Sequence, residues 1–273
     1  YAAAGDREAA RRMLTGLADD RAAPGGVASG AAGALVTVLI GEGKLEEASR
    51  RLAEQRPQMS GEEHAELIRS LVAAYIRGGR LDRAEATLGP DSTIEGFALA
   101  GRIRLYHGDL KGAVEAFKHA GPYAGTRADA THRTMLLALL QPIETDSLPG
   151  LGAALLSLER QDTVRAVTEL ERVAGDLPNA KGGAEIRLLA GRLSQARGDA
   201  ELAERLYRAA ASKEAPATAP AAELALAEYL LESGRRDEAV AQLEHLILTY
   251  PASALVPQAR RALDQARGAV PRT

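Results

Sequence analysis

Five histidines, His64, His107, His119, His132 and His245, are the first side chains in this 273-residue chain that could do chemistry. Two imidazoles three or four residues apart on one helix can share a metal ion, and no pair here has that spacing. The chain has no cysteine, which removes disulfides, thiolate nucleophiles and cysteine-ligated zinc together. It carries no GxSxG, no HExxH and no GxxxxGK[ST], so nucleophile elbow, zincin helix and phosphate loop are all missing. The glycine cluster PGLGAAL (149–155) lacks the third glycine of a dinucleotide loop and follows no strand, so it predicts a helix start. His107 stands beside a glycine and is expected to cap a helix end. Acidic pairs such as Glu46 with Glu47 sit where helices begin and favour the helix dipole. These residues predict no catalytic site, no metal and no cofactor.

The elements that would carry such side chains follow from composition. Hydrophobic residues make up 46% of the chain but aromatics only 3%, with no Trp and two Phe. The core must therefore be Ala, Leu and Val, which suits helices packed closely through small residues. Long alternating runs of Val, Ile and Thr are absent, so no strands are expected. With 34 basic and 37 acidic residues the net charge is −3, which gives nucleic acid no general attraction. The most apolar stretch, GVASGAAGALVTVLIG (26–41), is Gly-rich and shorter than the roughly 18–20 apolar residues a bilayer span requires. It predicts a buried helix. The lack of cysteine leaves the redox compartment open.

A short pattern recurs: a glycine, a few mostly polar residues, then an alanine. It reads GDREAA, GKLEEA, GRLDRA, GDLKGA, GDAELA and GRRDEA from Gly5, Gly43, Gly79, Gly108, Gly198 and Gly234. A seventh copy, QDTVRA, starts at Gln161 with the glycine replaced. Successive copies lie 38, 36, 29, 53, 37 and 36 residues apart. Each glycine can close one helix in the left-handed conformation, and the polar residue after it can open the next. Each copy is thus a helical hairpin. Four residues beyond the alanine stand Leu14, Leu52, Leu88, Phe117, Leu170, Tyr207 and Leu243. The small and the large residue share one helical face, where one admits a neighbour and the other fills the space beside it.

The pattern resembles the tetratricopeptide repeat (TPR) family, whose period is about 34 residues. The family's small residue, seven before the turn glycine, is matched by Gly101, Gly191 and Ala227, and its leucine, eight before, by Leu35, Leu71 and Leu226. Pro178 and Pro251 match the proline that closes the second helix. The family Trp is missing, with Phe97 its nearest substitute. The resemblance implies an all-α, right-handed α-solenoid of TPR-like hairpins, and SALVPQARRALDQARG (253–268) is expected to add a polar C-terminal capping helix that ends the array. The 53-residue interval predicts an extra helix at about 126–140, which would complete a three-helix unit, belong to a hidden degenerate repeat, or mark the meeting of two sub-arrays, 1–145 and 146–273; a joint within one solenoid is the favoured expectation. Tyr1 precedes Gly5 as Tyr75 precedes Gly79, at the family's tyrosine position. The opening residues are therefore expected to be the last turn of a helix that starts further upstream.

The family also implies a concave groove lined by the first helix of each hairpin, holding an extended segment of another protein. Its groove positions fall here on Arg69, Arg77, Arg102, Tyr106, Arg192 and Gln195, with Glu228 and Glu232 turning the C-terminal end acidic. The arginines suggest an acidic peptide, because a guanidinium offers a planar fork to carboxylates. The single asparagine, Asn179, does not fit the subtype that clamps C-terminal carboxylates through several Asn. The expected function is a non-enzymatic scaffold or adaptor inside a larger assembly. The TYPAS step (249–253) and the helix after it are similar to terminal repeats of bacterial cell-envelope TPR proteins, implying a periplasmic or outer-membrane-associated location. A sensor region of a cytoplasmic regulator and a fixed structural subunit are the alternatives.

Overall fold

The computed structural model describes residues 7–20 and 24–268. Tyr1 and Gly5 lie outside them. Among the described residues there are fifteen α-helices and no strand, so the class is all-α as expected. The chain divides into two compact units, 1–132 and 133–273.

The first unit opens with α1 (Arg7–Asp19), which packs on α2 (Gly25–Gly41). Three hairpins follow in overlapping order: α2 with α3 (Leu45–Gln55), α4 (Gly61–Arg77) with α5 (Leu81–Leu88), and α6 (Ile94–His107) with α7 (Leu110–Ala120). The apolar 26–41 stretch is a helix as expected. One face of it is buried through Ala32, Leu35, Val36 and Leu39, while Val27 is 48% exposed. The short interval between copies is explained by α5, which has 8 residues and stops at Gly89 and Pro90.

The extra helix is α8 (Arg127–Leu140), and the division between the units falls inside it, after His132. The second unit then holds α9 (Pro149–Glu159) with α10 (Thr163–Asp176), α11 (Gly183–Ala196) with α12 (Ala200–Ala210), and α13 (Ala219–Glu232) with α14 (Arg236–Thr249). PGLGAAL is the start of α9, with its proline in the first turn. The last helix, α15 (Val256–Arg267), buries Val256, Ala259 and Leu263 against Leu224, Ala227, Leu243 and Leu246 of α13 and α14.

All six described hairpin turns share one geometry. The glycine amide reaches back three residues, as from Gly79 to Ile76 O at 2.8 Å, and the next amide reaches back five, as from Arg80 to Tyr75 O at 2.9 Å. This doubly bonded helix end requires a left-handed residue, and the five glycines have φ between 72° and 87°. Gln161 does the same work at φ 62°, the only non-glycine with positive φ among the described residues. A left-handed non-glycine costs about 1–2 kcal/mol. Gln161→Gly removes that strain while loosening the unfolded chain, so a net gain of about 0.5–1 kcal/mol is expected. Hydrogen exchange of the α9–α10 turn amides checks it, and unchanged protection would contradict the strain.

After each turn the next helix is opened in one of two ways. Asp109, Asp162 and Asp199 accept from backbone N–H groups three residues on, at 2.9, 3.1 and 3.4 Å. Lys44, Arg80 and Arg235 occupy the same place with no such bond. Two of these instead reach the preceding hairpin: Arg80 pairs with Glu46 at 2.9 Å and Arg235 with Glu204 at 2.6 Å. Arg205 meets Glu171 in the same manner, at 2.6 Å. Exposed pairs of this kind are worth about 0–1 kcal/mol each, so they set register more than they stabilise.

Candidate partner-binding site

The small and large positions of the repeat turn out to be direct partners. A Cβ on Gly101 would stand 2.5 Å from the ring of Phe117, and one on Gly191 would stand 2.7 Å from that of Tyr207. Where the small residue is Ala227, the large one is Leu243, packed in the same cluster. Tyr207 is 1% exposed, yet its ring passes between α11 and α13 so that its hydroxyl emerges beside polar side chains.

Those side chains come from the first helices of successive hairpins. Arg192 and Gln195 on α11, Leu224 and Glu228 on α13, and Leu255 and Gln258 at the start of α15 line one pocket of about 220 Å³ with Tyr207. The Tyr207 hydroxyl donates to Gln195 Oε1 at 2.6 Å, and Gln195 Nε2 donates to Glu232 Oε2 at 2.7 Å. Gln258 Nε2 donates to Glu228 Oε1 at 3.0 Å. Burial pushes the Tyr207 hydroxyl up to about 12, with Arg192 opposing the rise and Glu232 and Glu228 adding to it. Arg192, Glu228 and Glu232 are thus all within electrostatic reach of this one hydroxyl. Of the eight residues expected on a groove, the second unit brings Arg192, Gln195, Glu228 and Glu232 together.

In the first unit the expected residues are placed differently from one another. Arg69 on α4 lies 3.6 Å from Asp91, which also accepts from the Thr93 amide at 2.9 Å and hydroxyl at 2.6 Å. Burial pushes the Asp91 carboxyl up, but the Thr93 bonds and the Arg69 charge outweigh it and hold the group below its usual range. Arg69 is thus engaged in fixing the start of α6. Arg77 is exposed at the end of α4, Arg102 is half-buried on α6, and Tyr106 is 5% exposed, which gives it a packing position. His107, expected to cap, instead sets its ring 3.8 Å from Asp82. Phe97, in place of the family Trp, stacks on His119 with centroids 5.0 Å apart.

Sequence reasoning passed over Tyr207 as a core filler and Gln258 as a surface residue. Nothing in the spacing marks either as facing α13. It also passed over a clip on the α10–α11 loop. Arg187 donates to Asn179 Oδ1 at 2.7 Å and to the Ala174 carbonyl, while Asn179 reaches the Ala209 carbonyl at 3.3 Å. The single asparagine has a structural task. Among the described residues no group of three or more His, Asp or Glu is placed to hold a metal ion, and no helix is long and apolar enough to cross a membrane.

No family model matches the chain, and no curated protein matches it. Among solved structures it is similar to the TPR domain of P58(IPK), with a TM-score of 0.37 and 14% identity over 86% of this chain. The match takes in 63% of that domain's length. It is also similar to BtubC (BKLC) from P. vanneervenii, with a TM-score of 0.27 and 17% identity over 100% of this chain and 92% of that one. Both likenesses are distant. The hairpin turns and the paired small and large positions carry the TPR-like character of the chain itself.

Proposed function

We propose that the chain is a non-enzymatic scaffold whose second unit holds a segment of another protein on the face formed by α11, α13 and α15. The observation that carries this reading is the pocket to which these three helices each send polar side chains around an apolar floor. Stacked hairpins repeat such a face, and an extended segment can lie across it with its side chains in successive pockets. The expected preference for acidic partners is confined in this proposal to the arginine-bearing positions, since Glu228 lines the same pocket as Arg192 and Glu232 stands beside it through Gln195. The cell-envelope setting implied by the TYPAS step remains part of the proposal and rests on that resemblance alone.

A photo-crosslinking residue at Glu228 is expected to capture a partner that the same residue at Val164 does not, Val164 being 59% exposed on α10. The purified partner should then lose at least about tenfold in affinity for Leu224→Arg, which sets a charge on the pocket floor. Equal labelling from both positions, or full affinity in the variant, would remove this face as the binding site.

A further inference from the structure

The helix that opens the first unit departs from its equivalents on the side turned away from its neighbours. Eleven residues after the turn the other six copies carry Glu54, Pro90, His119, Arg172, Ala209 and His245, all exposed, so this position faces outward. In α1 the residue there is Gly16, and a Cβ built on it meets nothing within 4 Å. Met13, one turn before it on the same face, is 50% exposed, and Leu17 at its side is 38% exposed. Where α3 has Glu47, Arg51 and Glu54, α1 thus has Ala9, Met13 and Gly16, an apolar stripe in place of a charged one. A helix that completed the first hairpin would still leave Gly16 facing outward, as it is in the other copies. One flank of the stripe is charged. Arg12 is exposed and has no ion pair among the described residues, and Asp19, two turns on, keeps 46% of its side chain exposed beside its bond to Arg51.

We propose that this stripe is a contact between two copies of the chain, with their α1 helices antiparallel about a twofold axis. A twofold contact requires one patch that fits itself, and this one does so in size and in charge. Antiparallel docking centred between Met13 and Gly16 lays the Met13 side chain of each copy over the open Gly16 of the other. That repeats between chains the pairing of large with small that Phe117 and Gly101 make within a hairpin. Because the chain direction reverses, Arg12 of each copy comes alongside Asp19 of the other, on the flank the two residues share. A parallel pair would instead set Arg12 beside Arg12. Three to four turns of one helix bury less than the about 1,200 Å² of a stable interface, so the dimer is expected to be weak and reversible. The contact concerns the first unit alone and does not depend on the partner face of the second.

Sedimentation of the whole chain over a concentration series tests this, with a monomer–dimer equilibrium expected at a Kd of about 10–100 μM. Met13→Glu should weaken it at least about tenfold. Gly16→Leu is the sharper variant. It enters open space in the monomer and favours the helix, so circular dichroism should match the parent, yet it fills the notch and should weaken the dimer at least about tenfold although the surface becomes more apolar. Arg12→Asp and Asp19→Arg should each weaken association about three- to tenfold, and the two together should restore it to within about twofold of the parent. A chain that stays monomeric at about 500 μM, or a dimer that Gly16→Leu leaves unchanged, would overturn the contact and return the stripe to a helix of another protein or segment. A charge exchange that restores nothing would overturn the antiparallel docking. The scaffold reading fails separately, on the crosslinking at Glu228 and Val164.

Discussion

Gly101→Ala is expected to destabilise the first unit by about 1–3 kcal/mol, the usual cost of forcing an extra methyl into a packed core. The direction is opposite to what helix propensity alone gives, because alanine in a helix interior is favoured over glycine by about 1 kcal/mol. Geometry decides between them. The new Cβ would lie 2.5 Å from both Cδ1 and Cε1 of Phe117, a residue 1% exposed on α7 with no room to retreat. Gly191→Ala should behave alike in the second unit against Tyr207, whose ring atoms stand 2.7 and 2.8 Å from the built Cβ. The decisive variant is the double one. Phe117→Leu makes room at the cost of some burial, and Gly101→Ala added to it should then be harmless or stabilising, as Ala227 beside Leu243 already shows to be a workable pair. A coupling of about 1 kcal/mol or more in the double-mutant cycle is expected from urea unfolding. Additive effects, or a Gly101→Ala variant more stable than the parent, would mean the two positions do not share a contact.

That pairing marks how far the sequence could be read. The turn glycines, the replacement at Gln161 and the helix following Gly125 are each set by local backbone chemistry, so spacing alone places them. The small residues Gly101, Gly191 and Ala227 and the large residues Phe117, Tyr207 and Leu243 could be found separately for the same reason. Their matching sizes are legible only once the hairpin closes, because closure brings the two helices of one hairpin face to face. The binding residues show the same limit one level higher. Arg192, Gln195, Glu228 and Glu232 were reachable by offset from their own turns. Gln258 and the Tyr207 hydroxyl were not, since their place depends on how one hairpin stacks on the next, and no local period records that. The engagement of Arg69 with Asp91 was hidden likewise, because the loop before α6 folds back onto α4 through contacts that follow no repeat.

His245→Ala is expected to cost about 1–3 kcal/mol, although half of the histidine side chain faces solvent. The reason is its partner. Glu223 is 2% exposed on α13, a helix whose residues Ala222 to Ala227 are all buried between neighbours, and its Oε2 lies 2.9 Å from His245 Nδ1. The carboxylate is felt nearby: the Tyr250 hydroxyl is raised by burial first and by Glu223 second. Removing the imidazole takes away the one side-chain hydrogen bond to this buried acid among the described residues, and the desolvation penalty then stands uncompensated. Removing the acid is a different matter. Glu223→Leu replaces a buried polar group by an apolar one of similar size, in a helix already packed by Leu224 and Leu226, and should be close to neutral or stabilising. The order of stabilities therefore distinguishes the explanations. His245→Ala should be the least stable variant, and adding Glu223→Leu to it should recover most of the loss, as read from unfolding curves and from hydrogen exchange in α13 and α14. If the single histidine variant is silent, or if Glu223→Leu is the more damaging of the two, then the carboxylate is satisfied by something other than His245 and the buried pair is not what joins these helices.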